Sequence, residues 1–143
     1  MHRQVNFFLV IGALLSGIAA VLHLLMILGG PTWYRFFGAG ERFATAVAQG
    51  RYFPTVITFG IAVVLGIWSA YALSGSGAIR TLPLLKPALL VITAIYLIRA
   101  IVFAPVVLAM GGQITPFVLW SSAICLGYGI IHVIGLVQRW PVL

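Results

Sequence analysis

Arg99 sits inside an unbroken apolar run, where a guanidinium needs an anion, a hydrogen-bonding partner or water. Tyr96 lies about one helical turn before it, and two more polar groups stand out against the apolar background. These are His23, inside another apolar run, and Glu41, the one acidic side chain of the chain. A guanidinium with a phenol, an imidazole and a carboxylate is a recognition set for an anionic head group, with Glu41 as the alternative internal partner of Arg99. The same inventory limits catalysis. One acid in total leaves no carboxylate pair, and Cys125 has no second thiol, so no catalytic constellation is assigned. Acid-base work would fall to His23, Tyr96 or Glu41. No metal or cofactor is expected, because one acid, one cysteine and scattered histidines build no first shell. By count along their helices, His23 and His132 lie on opposite sides of a bilayer midplane, well over about 10 Å apart, too far for one haem iron.

The elements that must position these residues are helices. The chain has 143 residues, 63% hydrophobic and 6% charged, whereas a soluble domain carries about 25% charged residues. Four apolar runs, 7–28, 54–73, 87–110 and 115–137, reach the roughly 20 residues a spanning helix needs. They are continuous rather than alternating, which excludes the strands of a membrane barrel. The first run follows Arg3 like a signal peptide but continues to Leu28, which marks an anchor. The expected fold is therefore all-α: a four-transmembrane-helix antiparallel bundle forming a single integral membrane domain, 1–143. A short interfacial amphipathic helix is expected at 41–49 in the first loop, with Phe43, Ala44, Val47 and Ala48 on its apolar face. By composition 74–77, Ser-Gly-Ser-Gly, reads as a flexible loop.

Small and polar residues at helical spacing mark the interior faces. They are Gly12, Ser16, Ala19 and His23 in the first run and Thr55, Thr58, Ala62, Gly66 and Ser69 in the second. The third run contributes Ile92, Tyr96, Arg99 and Phe103, and the fourth Ser121, Cys125, Tyr128, His132 and Gly135.

The net charge of +7 is scattered, which argues against a nucleic-acid partner. Arg3, Arg80, Lys86 and Arg139 flank one side of the membrane, and Arg35, Arg42 and Arg51 lie on the other. The positive-inside rule then puts both termini in the cytoplasm and the chain in the cytoplasmic (inner) membrane. Trp33, Tyr34, Trp120 and Trp140 fall where interfacial aromatic belts belong.

Glu41-Arg42 followed by Pro54 is similar to the first-loop signature of the membrane-associated eicosanoid and glutathione enzymes. The chain departs from it at Thr45, Gln49 and Tyr52, where that signature has Arg, Asn and Glu, and no family is assigned. Membrane lipids are the expected surroundings. The leading expectation is a protein that binds or carries a lipophilic or anionic-headed small molecule inside the bundle, at Arg99, Tyr96, His23 and Glu41. The alternatives are a self-associating or accessory subunit of a membrane complex, and a membrane enzyme acting on a lipid or quinone.

Overall fold

The computed structural model describes residues 4–143, so Arg3 of the basic flank lies outside the described residues. They form five α-helices: α1 Phe7–Phe36, α2 Glu41–Ala48, α3 Phe53–Ser76, α4 Leu85–Ala109 and α5 Pro116–Arg139, followed by a 3-10 turn at Trp140–Val142. All except α2 are long and apolar enough to cross a membrane, with mean hydropathy between 1.8 and 2.4 over their spanning windows. An all-helical chain with four such helices is consistent with a four-helix bundle embedded in a membrane. The chain divides into two compact units. One holds the described chain up to Leu15 with Trp68–Leu143, and the other is Ser16–Ile67.

In the Ser16–Ile67 unit, α1 runs eight residues past the expected end at Leu28, because Gly30 breaks it without ending it. Gly30 takes φ 64° and ψ −155°, a conformation open to a residue without Cβ, and Pro31 then starts a new helical turn. The continuation carries Tyr34 to full burial against Met26 and Ala44, with Phe37, Phe43 and Val47 around them. Tyr34 Oη donates to Thr58 Oγ1 at 3.0 Å, which ties this continuation to α3. The expected 25-residue first loop is thereby reduced to two short turns around α2. The buried face of α2 is also rotated from the expected one, with Ala44 and Ala46 buried and Ala48 exposed. The reason lies at its C-terminus. Gly50, at φ 71°, lets its own N–H reach Val47 O and the Arg51 N–H reach Ala46 O, a two-bond C-cap that folds the chain back beside Ala46.

The other unit corrects the reading of 74–77. Ser74, Gly75 and Ser76 are not a flexible loop; they form the buried last turn of α3. A Cβ on Gly75 would lie 2.6 Å from Leu89 Cδ1, so the glycine is there for close packing. Ser74 Oγ donates to Arg80 O and accepts from the Leu82 N–H, which fixes the connection to α4. The carbonyls that end α3 are met from far along the chain. The Asn6 N–H donates to Ser76 O at 2.9 Å, and Arg139 Nε donates to Gly75 O at 3.1 Å. Asn6 Oδ1 in turn caps α1 by accepting from the Leu9 N–H, and Asn6 Nδ2 donates to Gln138 Oε1. Leu85, Leu89 and Leu136 form the apolar core beside this polar knot. The N-terminus of α5 is set by Thr115, whose hydroxyl accepts from the Val118 N–H, with Pro116 at the first helical position.

The expected interior faces are buried at Gly12, Ser16, Thr58, Ala62, Ile92, Tyr96, His132 and Gly135. Gly66 is the exception, being exposed, and Leu65 and Ala72 take its place on the inner line of α3. Seven residues separate Leu65 from Ala72, two helical turns, so apolar side chains continue the face there without a small residue.

Candidate functional site

Arg99 lies on α4, half-buried, with its guanidinium carbon 3.4 Å from the centre of the Phe103 ring one turn further on. This is a cation-π contact within one helix face, and it covers one side of the charge with apolar surface. On α5, Ser121 presents its hydroxyl oxygen 3.5 Å from Arg99 Nη2, at the outer limit of a hydrogen bond. That hydroxyl already donates to Val118 O at 3.2 Å, leaving its lone pairs toward the arginine. Nη1 is buried and has no hydrogen-bond partner among the described residues. Arg99 is thus a charged donor held between two helices with one face on a ring, one weak partner, and one guanidinium NH₂ group unanswered among the described residues.

Tyr96, three residues earlier on α4, is deeply buried in a cluster of rings. Trp68 and Tyr128 meet it edge-to-face at 5.1 and 5.3 Å between centroids, and the His132 imidazole is tilted against it at 5.3 Å. Such edge contacts are the favoured aromatic geometry, and each contributes about 0.5–1.5 kcal/mol beyond area burial. Tyr128 Oη donates to Leu15 O at 3.0 Å, which carries the cluster across to α1. His132 is fully buried. Its Nδ1–H donates to Tyr128 O at 2.8 Å, one turn back, and Nε2 is buried with no hydrogen-bond partner among the described residues. Gly12 lies against this ring, close enough that a Cβ there would come within 2.7 Å of Cε1.

His23 and Glu41 belong to the Ser16–Ile67 unit, and each has a local partner. The His23 Nδ1–H donates to Ala19 O at 2.7 Å, within α1. Glu41 is paired within its own unit. Both its oxygens go to Arg35, with Nε 2.9 Å from Oε2 and Nη2 2.7 Å from Oε1, and Thr45 Oγ1 donates to Oε1 as well. The continuation of α1 past Gly30 is what brings Arg35 within reach of the first residue of α2. A helix that stops at Leu28 leaves Arg35 in a loop, so run length alone carries no sign of this pairing.

The Arg35 hydrogen bonds hold the Glu41 carboxyl below its ordinary value of 4.5, against a smaller opposing effect of burial. A depressed folded-state pKa means that the pair stabilises α2 above pH 4.5 and ceases to do so as the pH falls through the lower folded value. Both side chains are largely exposed, at 49% and 68%, so the effect is confined to α2 and small. Amide exchange across α2, compared between neutral and acid pH, is expected to lose protection in the native chain more than in a Glu41→Gln variant. Equal loss in both would show that the pair contributes nothing to α2.

Four groups of this region were outside the expected site: His132, Tyr128, Trp68 and Ser121. Three of them stood on the interior stripe of α5 in the sequence, but nothing in their spacing separates a site from a packed face. Among the described residues no three His, Cys, Asp or Glu side chains gather as a metal site would require. No protein-family model, curated protein or solved structure matches the chain. The functional reading therefore rests on the chemistry of these side chains.

Proposed function

We propose that this is a small polytopic membrane protein that binds a lipophilic molecule through an anionic head group, with Arg99 as the anchor. The observation that carries the reading is the buried, unpartnered Nη1 of Arg99. An arginine within a spanning helix is unfavourable by about 2.5–3.5 kcal/mol on insertion scales, and the usual remedy is a counter-charge. Glu41 is the only acidic side chain available and is committed to Arg35. The counter-charge of Arg99 then comes from outside the protein's own side chains. A carboxylate or phosphate on an apolar body fits, since the guanidinium fork can bind two oxygens at once and Phe103 supplies apolar surface on the same helix. We place the protein in the cytoplasmic (inner) membrane with both termini cytoplasmic, on the distribution of its basic residues.

Native mass spectrometry of the protein, extracted gently with its lipids, tests this reading. A stoichiometric anionic adduct is expected, retained in the native chain and reduced by more than about tenfold in Arg99→Leu, the loss of a charge-assisted hydrogen bond. The same variant is expected to melt at a higher temperature in detergent, because it removes a buried charge that lacks a protein partner. Greater stability with loss of adduct is the signature of a binding residue. An adduct-free oligomer, or loss of stability on removing Arg99, would overturn the reading and favour a subunit whose small-residue faces pack against other chains.

A further inference from the structure

A cleft of about 370 Å³ opens beside α2, lined by Glu41, Arg42, Thr45, Ala46, Gln49, Arg51 and Phe53. From this we infer that α2 and the turn after it form a phosphate-binding site at the membrane surface. The inference does not rest on Arg99, and it concerns the Ser16–Ile67 unit alone.

The first support is charge. Arg42 and Arg51 both line the cleft, and among the described residues neither guanidinium makes an ion pair or a hydrogen bond. Segment 35–53 carries Arg35, Arg42 and Arg51 against Glu41, three positive charges to one negative, a net +2. The one carboxylate in the cleft lining, Glu41, is held by two bonds from Arg35, which offset its charge. The second support is fixed geometry. Arg51 is not on a free loop, because its own N–H closes the cap of α2 on Ala46 O and Gly50 provides the left-handed turn that this requires. Arg42 is in the first turn of α2, whose position is set by Ala44 packing on the buried Tyr34 ring. The two arginines are thereby carried on one rigid element and face one cleft.

The occupant follows from size, chemistry and depth. The volume lies at the small end of ligand sites, about 300–1,000 Å³, which suits a head group rather than a whole lipid. Two guanidinium forks with the Gln49 amide match the acceptor oxygens and the negative charge of a phosphate ester. Exposed aromatic side chains stand on both sides of the site, Phe36 before it and Tyr52 after it, as at the head-group level of a bilayer. A phosphate there can belong to a membrane phospholipid or to a soluble phosphate compound.

The test uses the full chain in nanodiscs of phosphatidylcholine containing a small fraction of phosphatidylglycerol, with native mass spectrometry counting retained phosphatidylglycerol. The Arg42→Gln/Arg51→Gln double variant is expected to retain more than about tenfold less than an Arg80→Gln control, which removes a basic residue elsewhere. Arg42→Lys/Arg51→Lys is expected to be intermediate, keeping the charge but not the fork. Millimolar inorganic phosphate that displaces the lipid would mark a site open to soluble phosphates, and failure to displace it would mark a lipid head-group site. Retention by the double glutamine variant equal to the Arg80→Gln control, with α2 still protected from amide exchange, would overturn the inference. Binding here is expected to survive Arg99→Leu, so this result and that for Arg99 stand or fall separately.

Discussion

Tyr34→Ala is expected to release α2 and the end of α1 while the four long helices stay folded. Among the described residues Tyr34 is the largest fully buried side chain, and the small cluster it centres has Met26 and Ala44 as its other buried members. Truncating a buried aromatic costs about 3–5 kcal/mol, a large share of what a short peripheral element can have in total. The hydroxyl is a smaller matter. Tyr34→Phe loses the bond to Thr58 Oγ1, but that hydroxyl can turn to a carbonyl of its own helix, so a cost of about 1 kcal/mol is expected. Limited trypsin digestion separates the two, because Arg42 and Arg51 are cleavage sites on the released segment. Cleavage at these residues is expected to accelerate more than about tenfold in Tyr34→Ala and only a few-fold in Tyr34→Phe, since proteolysis follows the open population. Native-like resistance of the alanine variant would show that α2 is held by something other than this ring.

The second large effect is expected at Gly12. An alanine there would put its Cβ 2.7 Å from His132 Cε1 and 3.1 Å from both ring nitrogens. The ring has nowhere to go, because Nδ1 is bonded to Tyr128 O and Tyr96 lies against it. The helix backbones must therefore separate, and overpacking of this kind costs about 1–3 kcal/mol. Gly127 on α5 is the internal control. A Cβ there meets nothing within 4 Å, so Gly127→Ala should stabilise the helix by up to about 1 kcal/mol through propensity alone. Thermal unfolding in one detergent should place Gly12→Ala several degrees below the native chain and Gly127→Ala at or above it. Adding His132→Ala to Gly12→Ala should recover part of the loss, as expected when two mutations share one contact. No recovery would mean that the close approach is enforced elsewhere.

These two sites show what could be read from the sequence. Apolar run length located all four spanning helices to within a few residues except at Phe36, because length and hydropathy are all that spanning requires. The miss at Phe36 has a definite cause. Gly30-Pro31 is a common stop signal, and nothing local reveals that Pro31 begins another turn when Tyr34 has a pocket to fill. Ser74 to Gly77 failed for a related reason. A composition typical of linkers is equally the composition of a tight helix crossing, and only the position of Leu89 decides which applies. Gly12 and His132 could be recognised as interior residues by their spacing, whereas their mutual contact depends on the register of α1 against α5, which no single-helix pattern contains. Arg99 was conspicuous because its type contradicts its surroundings. The pairing of Glu41 with Arg35 depends on the helical turn that follows Pro31, which no local pattern signals.

The end of α3 has one further consequence, for how the chain is made. Its last carbonyls are answered by Asn6, already synthesised, and by Arg139, which lies a whole helical hairpin downstream. At about 5–20 residues per second, several seconds pass between the emergence of Ser76 and that of Arg139. During that interval the α3 terminus can hold Asn6 but must leave Gly75 O to water at the membrane surface. The Arg139 bond is thus a late latch, closed only after α5 has been made.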